Sequence, residues 1–231
     1  MEILKSGDRF VLIRKSENDP TSPIIDCQVD GVSTPFCEVK GSEANQLARW
    51  QLISKELEFA EVQLELAISR FKDKKFPIVL DLRDPEGVMI KSLFDSAIIG
   101  YIKCFNQTKG RRVKLEVKDL FPLPEYRKQQ DHHIAVRELR DSYIAHAGIS
   151  LNEGSKMIAS IDKNSPIGKS KNIVISHSYF TLPSLFFMIN TLSLVKFVKE
   201  KHFNKMQGKL DIFCKKVIDD PIKYGADKNF T

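Results

Sequence analysis

The order of apolar and polar residues predicts a long first helix. From Ser42 onward, apolar side chains recur every three or four positions over about six turns, which is the spacing of one helix face. Ser42 is a favourable N-cap, Glu43 suits the first turn, and the segment 72–77, which closes with Pro77, ends the helix. The predicted buried stripe consists of Trp50, Ile53, Leu57, Ala60, Leu64, Ala67 and Phe71.

The same periodicity predicts further helices and one pair of strands. Apolar stripes of helical spacing recur in the second half of the chain, each bounded by proline, glycine or charged residues. The expected helix ranges are about 87–107, 124–147 and 182–206, with a short fifth helix over about 207–218. Between the third and fourth helices, the alternating runs 156–162 and 172–178 predict a β-hairpin.

These elements predict a mainly α fold, an antiparallel four- to five-helix bundle with a β-hairpin insert. The first residues of the chain are rich in turn-forming sequence, and only the run 9–15 has the pattern of a strand. We therefore expect an N-terminal arm over 1–40, a helical domain over 41–220 and a flexible tail over 221–231.

The amino-acid composition indicates the cellular compartment of the protein. The four cysteines form no C-x-x-C pair, which is typical of reduced thiols in a cytoplasmic protein. The N-terminus has no apolar signal region, and the longest apolar run, 182–198, is interrupted by polar residues. We interpret that run as a buried core helix, and expect a cytoplasmic protein without a membrane partner. The net charge of +6 and pI near 9.0 permit, but do not require, contact with phosphate groups.

The candidate chemistry lies in "ELRDSYIAHAG", residues 138–148, at the end of the third predicted helix. Val136, Leu139, Tyr143 and Ala147 share one face, and His132 continues that face one turn earlier. Tyr143 can therefore either pack in the core or line a site.

Arg140 and His146 are six positions apart, which leaves them about 120° out of alignment in an ideal helix. Gly148 changes this expectation because glycine commonly ends a helix and allows its last turn to unwind. His146 then lies at a helix carboxyl end, where the dipole favours the protonated imidazole. The two side chains could thus meet around one phosphate.

The segment "LRDSYIAHA", residues 139–147, resembles the signature of the HEPN superfamily. That signature is an arginine, a polar residue directly after it and a histidine four to six residues later near a helix end, here Arg140, Asp141 and His146. The ending "IAHA" is similar to that of bacterial members. The family fold is a bundle of about four or five helices, often paired as a dimer. The hairpin and the N-terminal arm depart from the family pattern.

The resemblance implies a metal-independent endoribonuclease, or a toxin-like defence effector, without a cofactor. In that reaction the RNA's own 2′-hydroxyl attacks the phosphorus. His146 would act as general acid or base, Arg140 would clamp the phosphate, and Asp141 would orient one of them or a water. Tyr143 and Arg137 are candidate substrate-binding residues beside these. The implied partners are RNA, a second copy of the chain and an antitoxin-like protein.

The basic run 109–118 precedes the motif helix and contains Arg111 and Arg112. It is a candidate track for an RNA backbone, and the alternative is a solvated loop. His132 and His133 follow Asp131, but neighbouring side chains on a helix diverge by about 100°, so we expect no metal site there.

Two other functions fit the motif. The chain could be a non-catalytic helical module that binds RNA, nucleotide or a protein partner through the motif face. Alternatively, Arg140 and Asp141 could form an ordinary surface ion pair while His146 only caps the helix.

Overall fold

The computed structural model describes the side chains of residues 39–72, 80–107, 112–141, 181–220 and 222–224, together with the backbone pairing of six strands. The chain divides into two compact units. The first unit combines Met1–Asn45 with Ile212–Thr231, and the second is Gln46–Asp211. The fold is mainly helical, as the sequence predicts.

The first unit contains an antiparallel sheet in which successive strands are neighbours, in the order β1-β2-β3-β4. Its strands are β1 (Glu2–Ser6), β2 (Arg9–Lys15), β3 (Pro23–Val29) and β4 (Val32–Ser33). In the central strand, Val11 pairs with Leu4 on one side and with Cys27 on the other. In the same unit, the Lys40 backbone N–H donates to the Tyr224 carbonyl at 3.0 Å.

The helices follow in chain order, and a 3₁₀ turn at Pro124–Tyr126 precedes the fourth. Their bounds are α1 (Ser42–Lys72), α2 (Pro85–Lys103), α3 (Val117–Leu120), α4 (Arg127–Leu139) and α5 (Leu185–Asp219). Between α4 and α5, strand β5 (Glu153–Ser160) pairs antiparallel with β6 (Ile173–Phe180), and Ile158 faces Ile175 in their register.

The core of the second unit lies among α1, α2, α4 and α5. Each helix turns one apolar face inward, as burial of a helical stripe requires. The inward side chains of α1 include those of the predicted stripe, with Trp50 and Phe71 at its margins, and the helix also buries Gln63 and Ile68. The largest fully buried side chains are Tyr101, Phe94, Ile53, Leu57, Leu64, Ile90, Ile98, Ile102, Met188, His133, Val136 and Val195.

Polar contacts tie α1 to its neighbours at the edges of this core. The Gln63 amide Nε2 donates to the Ser96 hydroxyl at 2.8 Å, which links α1 to α2. On the other side, Glu61 pairs with Lys196 at 3.8 Å and also with Lys199, which links α1 to α5. Asp84 caps α2 by accepting from the Glu86 backbone N–H at 3.1 Å.

The predicted extent of α1 is confirmed, from its first residue Ser42 to Lys72. The prediction of separate fourth and fifth helices is wrong, because α5 is one helix from Leu185 to Asp219. The predicted break lies beside Gly208, which sits within the helix in open surroundings. Helical hydrogen bonds continue through an exposed glycine at a cost of about 1 kcal/mol, so glycine alone does not end a helix.

No helix in the described ranges is both long enough and apolar enough to cross a membrane. The apolar run 182–198 instead contributes Met188, Leu194, Val195 and Val198 to the core. This part of the prediction, a buried core helix, is confirmed.

Candidate functional site

The carboxyl end of α4 carries the first part of the HEPN-like motif. Arg140 and Asp141 directly follow α4, and the Arg140 backbone N–H donates to the Arg137 and Val136 carbonyls. The Arg140 Nη1 donates to Asp141 Oδ1 at 2.7 Å, and Arg137 Nε lies 3.7 Å from Asp141 Oδ2. One carboxylate therefore lies between two guanidinium groups.

This arrangement leaves Arg140 able to bind an anion. Its side chain is 29% exposed, so it is partly shielded from water while still accessible. Among the described residues, its only side-chain partner is Asp141, through Nη1. A guanidinium has five N–H donors, so Nε and Nη2 can still form the two parallel hydrogen bonds that a phosphate accepts.

The remaining motif residues lie outside the described residues. This applies to the candidate general acid or base His146, to Tyr143 and Gly148, and to Arg111 of the basic run. Arg140, Asp141 and Arg137 are brought together at one helix end, whereas Arg112 belongs to a different part of the second unit, described below.

His133, rather than His132, is the buried histidine of α4. It is 2% exposed, and its Nδ1 lies 2.9 Å from the Tyr101 hydroxyl of α2. Phe105 and Phe121 also lie against its ring, at centroid distances of 4.4 and 5.9 Å. Burial lowers the pKa of His133 to about 4, with a further contribution from the positive charge of Arg137. The ring is therefore neutral at pH 7, and its Nε2 has no partner within the described ranges.

His132 points to a different helix. Its Nε2 lies 3.0 Å from the Thr191 hydroxyl of α5, and Thr191 itself donates to the Phe187 carbonyl at 2.8 Å. Because the single hydroxyl proton is used there, the His132 Nε2 must be the donor to Thr191. The two neighbouring histidines thus bind separate partners. The described residues include no cluster of three or more His, Cys, Asp or Glu that could hold a metal.

A second concave site, the Trp50 pocket, forms where α1, the segment 112–116 and α5 meet. Its volume is about 420 Å³. In the segment 112–116, Val113 and Leu115 are buried, and the charged residues Arg112, Lys114 and Glu116 alternate with them along the pocket wall. Its walls are Gln46, Trp50, Gln107, Arg112, Val113, Lys114, Leu115, Glu116, Asp119, Leu120, Lys201, His202 and Lys205.

The α1 and α5 walls of the pocket are held together by His202. Its Nε2 donates to the Trp50 carbonyl at 3.1 Å, and its ring packs against the indole with centroids 5.4 Å apart. Burial lowers the pKa of His202; the hydrogen bond to Trp50 opposes this effect, and the charge of Lys205 adds to it. His202 is thus mainly neutral near pH 7, so the positive charge of the pocket comes from lysine and arginine.

The pocket is basic on balance. Four lining residues are lysine or arginine and two are acidic. Lys205 pairs with Asp119 at 2.8 Å, and Lys114 pairs with Glu116 at 3.3 Å. Within the described ranges, Arg112 and Lys201 have no carboxylate partner. Their charges are therefore free to meet an incoming anion.

Arg112 adopts an unusual backbone conformation. Its φ of 56° lies in the left-handed region, which costs a residue with a side chain about 1–2 kcal/mol relative to glycine. Strained backbone of this kind is concentrated at functional sites. The conformation places Arg112 at the start of the extended wall of the Trp50 pocket.

The sequence prediction included Arg112 and Lys114, both in the basic run 109–118, but missed the α1 and α5 walls of the Trp50 pocket. Trp50 fitted the α1 core stripe, and nothing local distinguishes it from the other apolar residues of that stripe. Lys201 and Lys205 are four positions apart, and this spacing on one helix face is a signal that could have been used. The indole and the lysines come together only through tertiary packing.

No family model, no curated protein and no solved structure matches this chain.

Proposed function

We propose that the protein is a HEPN-like, metal-independent endoribonuclease, a toxin-like defence effector whose reaction takes place at the carboxyl end of α4. The main support for the proposal is the environment of the Arg140 side chain. This side chain is partly shielded and held in place by Asp141 at a helix end, and no other described side chain contacts its remaining donors. This is the environment that a phosphate clamp requires.

In the proposed reaction, the 2′-hydroxyl of the RNA attacks the adjacent phosphorus. His146 removes the hydroxyl proton or returns a proton to the leaving 5′-oxygen, because imidazole titrates near neutral pH. Arg140 donates two hydrogen bonds to the phosphate oxygens as negative charge builds on them. Asp141 keeps the guanidinium oriented, while Arg137 and Tyr143 contact the RNA beside the scissile bond. The product ends are a 2′,3′-cyclic phosphate and a free 5′-hydroxyl.

The finer architecture belongs to the same proposal. The helices would form an antiparallel four- to five-helix bundle, and β5 and β6 would form a hairpin inserted between α4 and α5. The support is the shared core of four helices and the antiparallel register of the two strands. A cytoplasmic homodimer that presents two motif segments to one cleft, regulated by an antitoxin-like protein, completes the picture.

The decisive experiment is cleavage of a mixed-sequence single-stranded RNA in EDTA. We expect 2′,3′-cyclic phosphate ends with the wild-type protein. Arg140→Ala and His146→Ala should each slow cleavage by about 10²–10³-fold, which is typical for loss of one charge-stabilising or proton-transfer group. Cleavage that survives both substitutions would exclude the proposed site.

Arg127→Ala is the matched control on the same helix. Arg127 is 84% exposed and pairs with Asp131 at 3.9 Å, so its loss removes one positive charge and one weak ion pair at the far end of α4. The control should cleave RNA at close to the wild-type rate. Equal losses in Arg127→Ala and Arg140→Ala would indicate a general charge effect rather than a clamp.

One observation favours a second candidate, a non-catalytic module that binds RNA, nucleotide or protein. Asp141 contacts both Arg137 and Arg140, so a carboxylate already occupies the position between the guanidinium groups. A phosphate must share these arginines with it. RNA binding that weakens steeply with salt, with no cleavage by the wild-type protein, would establish this alternative.

A further inference from the structure

We propose that the Trp50 pocket binds one nucleotide of the single-stranded RNA, away from the cleavage motif, through its phosphate and its base. The inference rests on the proposed RNA function for the source of its ligand. The shared chemistry is that of a nucleoside phosphate, which either an RNA strand or a free mononucleotide can supply.

The size and position of the pocket fit this ligand. Its volume of about 420 Å³ falls within the range of about 300–1,000 Å³ usual for small-molecule sites. It is lined from three sides: by α1, by the extended segment 112–116 and by α5. Such a site can enclose one base and its phosphate while the chain continues out of the pocket.

Charge within the pocket selects an anion. Of the four cations that line the pocket, Arg112 and Lys201 have no carboxylate partner among the described residues, and they belong to different walls. The Lys201 ammonium is positioned by the Tyr126 hydroxyl at 3.2 Å and lies 4.8 Å from the centre of that ring. A phosphate between Arg112 and Lys201 would gain two charge-assisted contacts.

Aromatic and amide groups in the same pocket suit a base. The Trp50 indole lies in the wall, and its buried N–H has no partner within the described ranges. A buried donor without a partner costs about 1–3 kcal/mol, so a ligand acceptor that reached this N–H would relieve that cost. Gln46 and Gln107 add amide groups that can contact base edges. The combination of cations with an aromatic ring is the usual composition of single-strand sites.

One RNA strand can reach both this pocket and Arg140. Lys201 contacts Tyr126, the residue that directly precedes α4. Arg140 follows at the other end of that helix, about 20 Å further along its axis. Single-strand binding sites commonly extend over about 4–16 nucleotides. The Trp50 pocket would thus hold the strand at one point while the motif acts at another.

Trp50 provides the measurement, because it is the only tryptophan in the chain. A 2′-O-methyl oligoadenylate of about ten nucleotides has no free 2′-hydroxyl, so the proposed reaction cannot cleave it. We expect it to quench the tryptophan fluorescence of the full chain saturably. AMP is titrated separately. If the natural ligand is an RNA strand, AMP should need a higher concentration than the oligonucleotide to quench the fluorescence. If the natural ligand is a free nucleotide, AMP should quench at the same concentration. Absence of quenching by both probes would overturn the proposal.

Lys205→Gln and Lys55→Gln form a matched pair of variants. Both lysines have side chains that are 50% exposed, and each pairs with one acid, Asp119 at 2.8 Å and Glu58 at 2.9 Å. Only Lys205 lines the pocket. Lys205→Gln should weaken binding of the oligonucleotide about three- to tenfold and reduce the slope of log affinity against log salt by about one. Lys55→Gln should bind as the wild type does, and equal effects of the two variants would overturn the proposal.

The readouts separate this inference from the proposed function. Arg140→Ala should retain the wild-type fluorescence response to AMP, because Arg140 does not line the pocket and a single nucleotide bound there does not extend to the far end of α4. Quenching without RNA cleavage would refute the ribonuclease while supporting the pocket. Conversely, cleavage that depends on Arg140, without quenching and without any effect of Lys205→Gln, would support the ribonuclease and refute the pocket.

Discussion

Individual side chains show how differently neighbouring residues of one helix are used. His132 donates to Thr191 at the edge of the core, whereas His133 is enclosed by Tyr101 and two phenylalanine rings. The sequence pattern predicted that His132 would continue the buried face of α4. The prediction was off by one position, because the burial of His133 is decided by aromatic partners from other elements, which lie far away in sequence.

The lowered pKa of His133 predicts a pH-dependent stability. The unfolded chain binds a proton on this imidazole near pH 6.5, whereas the folded chain binds it only near pH 4. The free energy of unfolding should therefore be constant above about pH 6.5 and fall between pH 6.5 and 4. The contribution of one such group is at most about 1.4 kcal/mol per pH unit. Urea denaturation at several pH values measures this slope.

His133→Asn tests the assignment. Asparagine cannot titrate but can still hydrogen-bond to Tyr101, so the slope between pH 6 and 5 should become shallower. Part of the slope should remain because burial also lowers the pKa of His132 and His202. A variant whose slope equals that of the wild type would show that His133 is not the titrating group.

The helices differ in how well the sequence foretells them. For α1, an N-cap, a stop at its end and an unbroken apolar stripe all agree, and its bounds were predicted correctly. For α5, the sequence pattern predicted a boundary near residue 206, beside Gly208, that the structure does not have. Local signals weigh a glycine as a break, but hydrogen bonding and side-chain packing on both sides of it decide whether the helix continues.

Alanine substitutions at two glycines should therefore have different effects on the free energy of unfolding. A Cβ at Gly208 would meet nothing within 4 Å, so Gly208→Ala should raise the free energy of unfolding by about 0.5–1 kcal/mol. At Gly87 a Cβ would lie 2.6 Å from Leu80 Cδ1 and 3.2 Å from Asp84 Oδ2, so the same change should bring no gain. Chemical denaturation of both variants measures the difference. No stabilisation by Gly208→Ala would argue for a break in α5.

Glu61 forms ion pairs that help to connect α1 to α5. Its side chain is 14% exposed and pairs with Lys196 and Lys199 of α5. We expect Glu61→Gln to lower the free energy of unfolding by about 1 kcal/mol in low salt, and by less in 1 M salt. Glu58→Gln is the control. The side chain of Glu58 is 56% exposed, and its one ion pair with a described residue is with Lys55 of the same helix, so its loss should be nearly neutral.

At the scale of the whole molecule, local spacing and tertiary packing bring different sets of residues together. Arg140, Asp141 and Arg137 lie together, as one turn of helix requires. The Trp50 pocket could not be foreseen in the same way. Its contact between Trp50 and His202 joins residues 152 positions apart. Short-range spacing carries no information about which distant helices will become neighbours.

The proposed homodimer gives a prediction for the intact protein. Sedimentation equilibrium should yield twice the chain mass of 26.4 kDa at micromolar concentration. Mixing Arg140→Ala with wild-type protein and allowing subunits to exchange should lower cleavage below the average of the two, because each shared cleft needs both arginines. A single-chain mass under all conditions would exclude the shared cleft.

The left-handed backbone at Arg112 implies a conflict between folding and recognition. Glycine accepts this conformation freely, so Arg112→Gly should raise the melting temperature: it relieves a strain of about 1–2 kcal/mol, of which about 0.5–1 kcal/mol is offset by the greater freedom of glycine in the unfolded chain. The same change removes a cation from the wall of the Trp50 pocket, so oligonucleotide affinity should fall. A variant with a higher melting temperature and a lower affinity for the oligonucleotide would show that stability is sacrificed for binding at this position. If the melting temperature and the oligonucleotide affinity rose together, the Arg112 guanidinium would not contribute to ligand binding.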